Sequence, residues 1–162
     1  MAVVNPKVDG GKPFDWGKAS ADYAKYRDIY PEMFYRQILD AGLCVQGQTV
    51  LDLGTGTGVL PRNLYRYGAQ FVGIDLSPEQ IEQARRLAKQ AGMQIDFFAC
   101  PAESVDFPDH TFDVVTACQC FFYFDAKKLL PNLRRMLRPG GRLAILYMAW
   151  LPGEDPIARA SE

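Results

Sequence analysis

The chain has 162 residues, is 48% hydrophobic, and carries 18 basic against 19 acidic side chains for a net charge of −1. That length supports one domain with a sizeable core, and that balance offers no bulk field to gather nucleic acid or an anionic membrane. No run approaches the roughly 18 apolar residues of a membrane span, and Met1 to Gly11 lacks the layout of a secretory signal, so the chain reads as cytoplasmic.

In chain order, residues 1–15 read as a flexible tail rich in Gly, Pro and Lys, and residues 16–48 as an amino-terminal helical lid. Tyr23, Tyr26 and Tyr30 fall at helical offsets, with Arg27 beside them and Trp16 just before. Pro31 suits the first turn of a further helix whose apolar face is Phe34, Ile38 and Leu39 and which Gly42 ends.

From Thr49 short apolar runs alternate with helical periodicity, which predicts βαβ units: a Rossmann-like, doubly wound α/β fold with a mainly parallel sheet. The predicted strands are TVLDL, QFVGID, QIDFFA, FDVVTA and RLAILYMAW, giving five within a core of residues 49–150. A short helix is expected around Leu60 to Tyr67. The next is capped by Ser77, with Pro78 in its first turn, Gln80 placed for a capping box, an inner stripe of Ile81, Ala84, Leu87 and Ala91, and a stop at Gly92. A last helical region ends near Arg138; Pro131 either starts it, the favoured reading, or kinks it, and Pro139-Gly140-Gly141 turns into the fifth strand. Residues 151–162 read as a carboxyl-terminal tail or a point of truncation.

The residues with chemistry lie between the first two strands. L-D-L-G-T-G-T-G, residues 51–58, follows a strand and precedes a helix, so Gly54, Gly56 and Gly58 are expected to bring the backbone close to a ligand. Asp75 closes the second strand, where a carboxylate accepts the hydroxyls of a ribose. A dinucleotide fold asks for a third glycine where Val59 stands, and a P-loop asks for Gly-Lys-Ser/Thr, which is absent. The loop therefore suits an adenosine ligand without phosphates.

These residues, with VGIDLSPEQIEQAR, PAESVDFPDHTFDVV and LRPGGRLAI, give the chain a resemblance to the class I S-adenosylmethionine-dependent methyltransferases, in the small-molecule branch labelled type 11 or ubiquinone/menaquinone-biosynthesis-like. The resemblance implies S-adenosylmethionine as cofactor, S-adenosylhomocysteine as product and a small-molecule acceptor. It places Gly54, Thr55 and Gly56 of the motif that holds Asp52 and Gly58 against the methionine part, Asp75 on the ribose and Leu76 on the adenine. Pro101 stands where many relatives carry an acid, which leaves adenine recognition to packing, the Ala102 N–H or Glu103. The family sheet has seven strands, so a binding domain inactive in this short form is one alternative, and a methyltransferase acting on protein or RNA is another.

Methyl transfer from a sulfonium is an in-line displacement dominated by positioning, so neither a catalytic triad nor a metal is expected. His110 reads as an exposed turn residue. Cys118 and Gln119, at the end of the fourth strand, are placed to flank the cofactor's reactive end, and Phe122 and Tyr123 to form an acceptor wall; packing into the core is the competing reading for the aromatics. By the resemblance, Tyr26 and Arg27 on the lid meet the methionine carboxylate. Cys44, Cys100, Cys118 and Cys120 form no C-x-x-C pair and read as reduced core residues.

Overall fold

The structure is a computed structural model that describes residues 30–148. The tail of residues 1–15, Trp16, Tyr23, Tyr26, Arg27 and the segment after Met148 lie outside the described residues.

Five parallel strands form one sheet in the order β3-β2-β1-β4-β5: β1 (Thr49–Leu53), β2 (Gln70–Asp75), β3 (Asp96–Ala99), β4 (Phe112–Cys118) and β5 (Leu137–Leu146). The first two strands have the bounds read from the sequence. β3 is two residues shorter than QIDFFA, because its pairing with β2 begins only where Val72 faces Asp96. β5 begins earlier than predicted: Leu137 faces Phe112 while Arg142 faces Val114, so Pro139-Gly140-Gly141 is an irregularity inside the strand rather than a turn before it. Gly140 takes φ +81°, which suits glycine at such a bulge.

Successive side chains of a strand point to opposite faces, and this sorts the core. Leu51, Leu53, Ile74, Val115 and Ala117 pack with Leu129, Leu133 and Met136 of α4 (Ala126–Met136). Val50, Phe71 and Val114 pack on the other face with Tyr35 and Ile38 of α1 (Glu32–Asp40) and Leu60 and Leu64 of α2 (Val59–Leu64). Phe97 of β3 meets Ile81, Ala84 and Ala88 of α3 (Pro78–Gln90). Helices thus cover both faces.

Local details refine the sequence reading. Pro31 precedes α1 at its N-cap, and the helix buries Tyr35 and Ile38, with Phe34 and Leu39 at the margin. The helix expected to Tyr67 tightens into a 3₁₀ turn at Tyr65–Tyr67. In α3 the Ser77 hydroxyl accepts the Gln80 N–H at 3.3 Å, but the capping box does not close as expected: the Ser77 N–H donates to Asp75 Oδ1 at 2.9 Å. The inner stripe of α3 runs through Ala88, whereas Leu87 is half-buried and Ala91 exposed.

Pro131 does not start α4. The helix begins at Ala126, where the Asp125 carboxylate accepts the Lys127 N–H at 3.1 Å, and Pro131 sits inside it. Both Pro131 and Lys127 are exposed, so water can satisfy the carbonyl that a proline leaves without its helical donor.

Candidate functional site

The carboxyl ends of β1, β2 and β4 meet at the glycine loop. Gly54, Gly56 and Gly58 have φ of +60°, +57° and +75°, a region in which side chains are strained. The loop is stitched to β2: the Thr55 N–H donates to Ile74 O at 2.8 Å and the Gly56 N–H to Asp75 Oδ2 at 2.9 Å. The three glycines differ in what surrounds them. A Cβ at Gly54 would lie 2.8 Å from Cys120 Sγ, and one at Gly58 2.8 Å from the Phe97 ring. A Cβ at Gly56 would meet nothing nearer than Gln80 Oε1 at 4.0 Å. Packing thus dictates the outer two glycines, and Gly56 alone of the three faces open space.

Asp75 is half-buried at the end of β2, with Oδ1 on the Ser77 N–H and Oδ2 on the Gly56 N–H. Burial raises its carboxyl above the ordinary value, against the pull of the Ser77, Gly56 and Leu76 amides. The carboxylate has about four lone-pair sites, more than these amides fill. Leu76, next in the chain, is 73% exposed.

Asp52 lies beneath the loop, 2% exposed, on the same sheet face as Gly73 and Thr116. The Thr116 hydroxyl donates to its Oδ1 at 2.6 Å. Burial pushes this carboxyl up to about 6, and the charge of Asp75 adds to the rise. Its side chain supports the loop from below rather than presenting itself at the surface. The Thr55 side chain also points down, its Oγ1 2.8 Å from where a Gly73 Cβ would stand, so Thr55 offers the outer surface its backbone only.

The remaining nominated residues divide. Ala102 is buried in the core on the α4 side. Glu103 accepts the Asp125 N–H at 2.8 Å and so steadies the start of α4. Cys118 is half-buried, and burial pushes its thiol up to about 11. Gln119 takes φ +61°; its N–H donates to Leu146 O at 2.9 Å and its side-chain amide to Met148 O at 3.4 Å, which ties the end of β4 to the end of β5. In the 3₁₀ turn Phe121–Tyr123, Phe121 packs on the core and Phe122 faces outward. All four cysteines are free thiols, and His110 is exposed with Nδ1 3.0 Å from Leu137 O.

Sequence reasoning missed Thr116 and Cys120. A threonine inside the apolar run V-V-T-A was a usable signal for Thr116, whereas the approach of Cys120 to Gly54 joins residues distant in sequence. A separate open groove of about 1200 Å³ lies near the amino-terminal ends of β1 and β2, where Thr49, Gln70 and Arg85 line it, and it holds none of the loop residues.

The family model described as a methyltransferase domain matches residues 51–145, which span the glycine loop, Asp75, all of β2, β3 and β4, and most of β1 and β5. The chain belongs to this methyltransferase family. The methyltransferase domain is 40% identical over 114 residues to a demethylmenaquinone methyltransferase of Thermus thermophilus, covering 68% of this chain and 52% of that protein. It is 31% identical over 132 residues to an uncharacterized methyltransferase of Mycobacterium tuberculosis, covering 82% of this chain and 51% of the relative. The chain therefore spans about half the length of these relatives. Among solved structures, an S-adenosylmethionine-dependent methyltransferase from Methanococcus maripaludis, described as putative in its own name, matches with a TM-score of 0.75 at 19% identity, over 93% of this chain and 72% of that one, a likeness of fold.

Proposed function

We propose that this methyltransferase domain binds S-adenosylmethionine at the carboxyl ends of β1 and β2, and that the protein transfers a methyl group to a small-molecule acceptor. The observation that carries the reading is the Gly56–Asp75 cradle. A half-buried carboxylate with acceptor capacity to spare stands beside a glycine at which an added Cβ would meet nothing nearer than 4.0 Å. Such a carboxylate at the end of β2 fits a ribose hydroxyl donor. Beside it the exposed Leu76 offers an apolar face to a base.

The loop backbone from Gly54 to Gly56 would hold the methionine part, with Gly58 and the buried Asp52 fixing the loop's shape. Ala102 and Glu103 would border the adenine, and Cys118 the reactive end. Gln119, whose amide is engaged by Met148, contributes there through backbone placement. Tyr26 and Arg27 are the proposed partners of the methionine carboxylate. Val59, buried where a dinucleotide fold needs glycine, argues against NAD.

When bound, S-adenosylmethionine supplies an electrophilic methyl group on a sulfonium. The residues around it need only hold donor and acceptor in line, because aligned reactants a few ångströms apart gain most of the available acceleration from placement. The relative named demethylmenaquinone methyltransferase supports a small-molecule acceptor. Ultraviolet cross-linking of methyl-tritiated S-adenosylmethionine to the chain tests the cofactor assignment. Labelling that S-adenosylhomocysteine displaces and NAD does not is the expected result; labelling indifferent to S-adenosylhomocysteine would reject it.

A further inference from the structure

β3 is the outermost strand on one side of the sheet, and it is short: Asp96–Ala99, with Phe98 45% exposed. Along a strand alternate residues turn both the N–H and the C=O to the same side. The Cys100 N–H donates to Asp75 O at 2.9 Å, so Asp96, Phe98 and Cys100 face β2, and Phe97 and Ala99 present their backbone groups to the open side. Among the described residues no strand pairs there, and an open groove lined by Arg85, Met93 and Phe98 runs beside it. An outermost strand with outward backbone groups is a template for a further strand.

One of those groups is already taken. Arg85 donates to the Phe97 carbonyl from Nε at 3.1 Å and from Nη2 as well. A carbonyl has two lone pairs, so two N–H donors leave it nothing for an incoming strand. The placement follows from α3. Ile81, Ala84 and Ala88 bury against the Phe97 ring, and Arg85, four positions after Ile81, leaves the helix at the margin of that stripe and reaches the edge. Its charge also stands where an added strand would lie, and covering it costs desolvation.

The partner that the sequence of β3 fits is a second copy of the chain. Two antiparallel copies with Phe98 opposite Phe98 set Phe97 of each against Ala99 of the other. The outward groups of both strands then pair, and the two exposed rings lie side by side on one face, a stabilising cross-strand contact. In that register Asp96 faces Cys100 rather than its own copy, so no like-charge contact opposes the pairing. Arg85 does.

We infer that Arg85 closes the free edge of β3 against strand pairing with a second copy of this chain. The inference is independent of the cofactor reading, although the edge ends beside the proposed cradle, where Ala99 is the register partner of Asp75.

Sedimentation velocity and amide hydrogen exchange of the whole chain test it, over a concentration series of the parent, Arg85→Met, and Arg85→Met combined with Ala99→Pro. Methionine keeps the stem of the side chain and lacks its donors, and position 85 is exposed, so the variant keeps its core. The expected result is self-association of Arg85→Met at least roughly tenfold tighter than that of the parent, the least that losing a competing hydrogen bond from a charged donor releases. In that variant the Phe97 and Ala99 amides gain protection as concentration rises. Ala99→Pro removes an outward N–H at no cost in bonds to β2, and it returns the double variant to the behaviour of the parent. Three results would overturn the inference: association no tighter in Arg85→Met than in the parent, association that survives Ala99→Pro, or protection of the Phe97 and Ala99 amides that rises with concentration in the parent itself. The last needs no variant to fold.

Discussion

The N–H of Gly56 donates to Asp75 Oδ2 at 2.9 Å across 19 positions, so the acid that ends β2 also shapes the loop that follows β1. Removing the carboxylate therefore removes a ligand acceptor and a loop brace together. Asp75→Ala is expected to weaken S-adenosylhomocysteine binding by roughly 2–4 kcal/mol, since hydrogen bonds to a charged acceptor contribute about 1.5–3 each and do not add fully. Isothermal titration of the folded variant checks this, and an unchanged affinity would remove Asp75 from the site.

The glycines separate folding from binding. Gly58→Ala forces a side chain into φ +75° and against the Phe97 ring, and is expected to cost roughly 2–4 kcal/mol in chemical denaturation. Gly56→Ala meets open space and carries only the backbone strain of about 1–2 kcal/mol, yet it projects a methyl group toward the ligand. The expected outcome is a folded Gly56→Ala protein that does not bind S-adenosylhomocysteine, and a Gly58→Ala protein whose first defect is stability.

Asp52 makes the unliganded chain pH-sensitive. Its folded pKa of about 6 lies above the ordinary 3.8, because burial penalises the charged form. An acid whose folded value is raised favours the folded state while protonated and loses that stability as pH rises from about 4 through 6. At about 1.4 kcal/mol per unit the loss is on the order of 3 kcal/mol. Asp52→Asn, which keeps a carbonyl for the Thr116 hydroxyl, is therefore expected to unfold at higher temperature than the parent at pH 7 and to lose that advantage near pH 4. An equal difference at both values would show that Asp52 carries no such cost.

Pro131 interrupts the hydrogen bonds of α4 on its exposed face. Replacing it restores a donor to the Lys127 carbonyl and removes the steric conflict of a ring inside a helix, while returning some freedom to the unfolded chain. Pro131→Ala is expected to stabilise the domain by about 1–2 kcal/mol in urea denaturation.

Much of the fold is legible in the sequence. β1 and β2 are apolar runs bounded by polar and glycine residues, and a parallel sheet buried on both faces writes such runs plainly. The loop and Asp75 were legible because their spacing has a chemical reason. What escaped was set by contacts between distant residues. Where β3 starts depends on its register with Val72, and the partition of the glycines on Cys120 and Phe97. Gln119 was read as flanking a ligand, and the bond of its amide to Met148, 29 residues on, was not legible. The start of α4 was read from Pro131 alone, whereas Asp125 is the residue that caps it.

The most direct test of the central claim is calorimetric titration of the purified chain with S-adenosylmethionine, S-adenosylhomocysteine and NAD, with Asp75→Ala in parallel. The account predicts saturable binding of both sulfur nucleosides, weakened in the variant, and no binding of NAD. A folded chain that binds NAD, or that binds neither sulfur nucleoside, would contradict it.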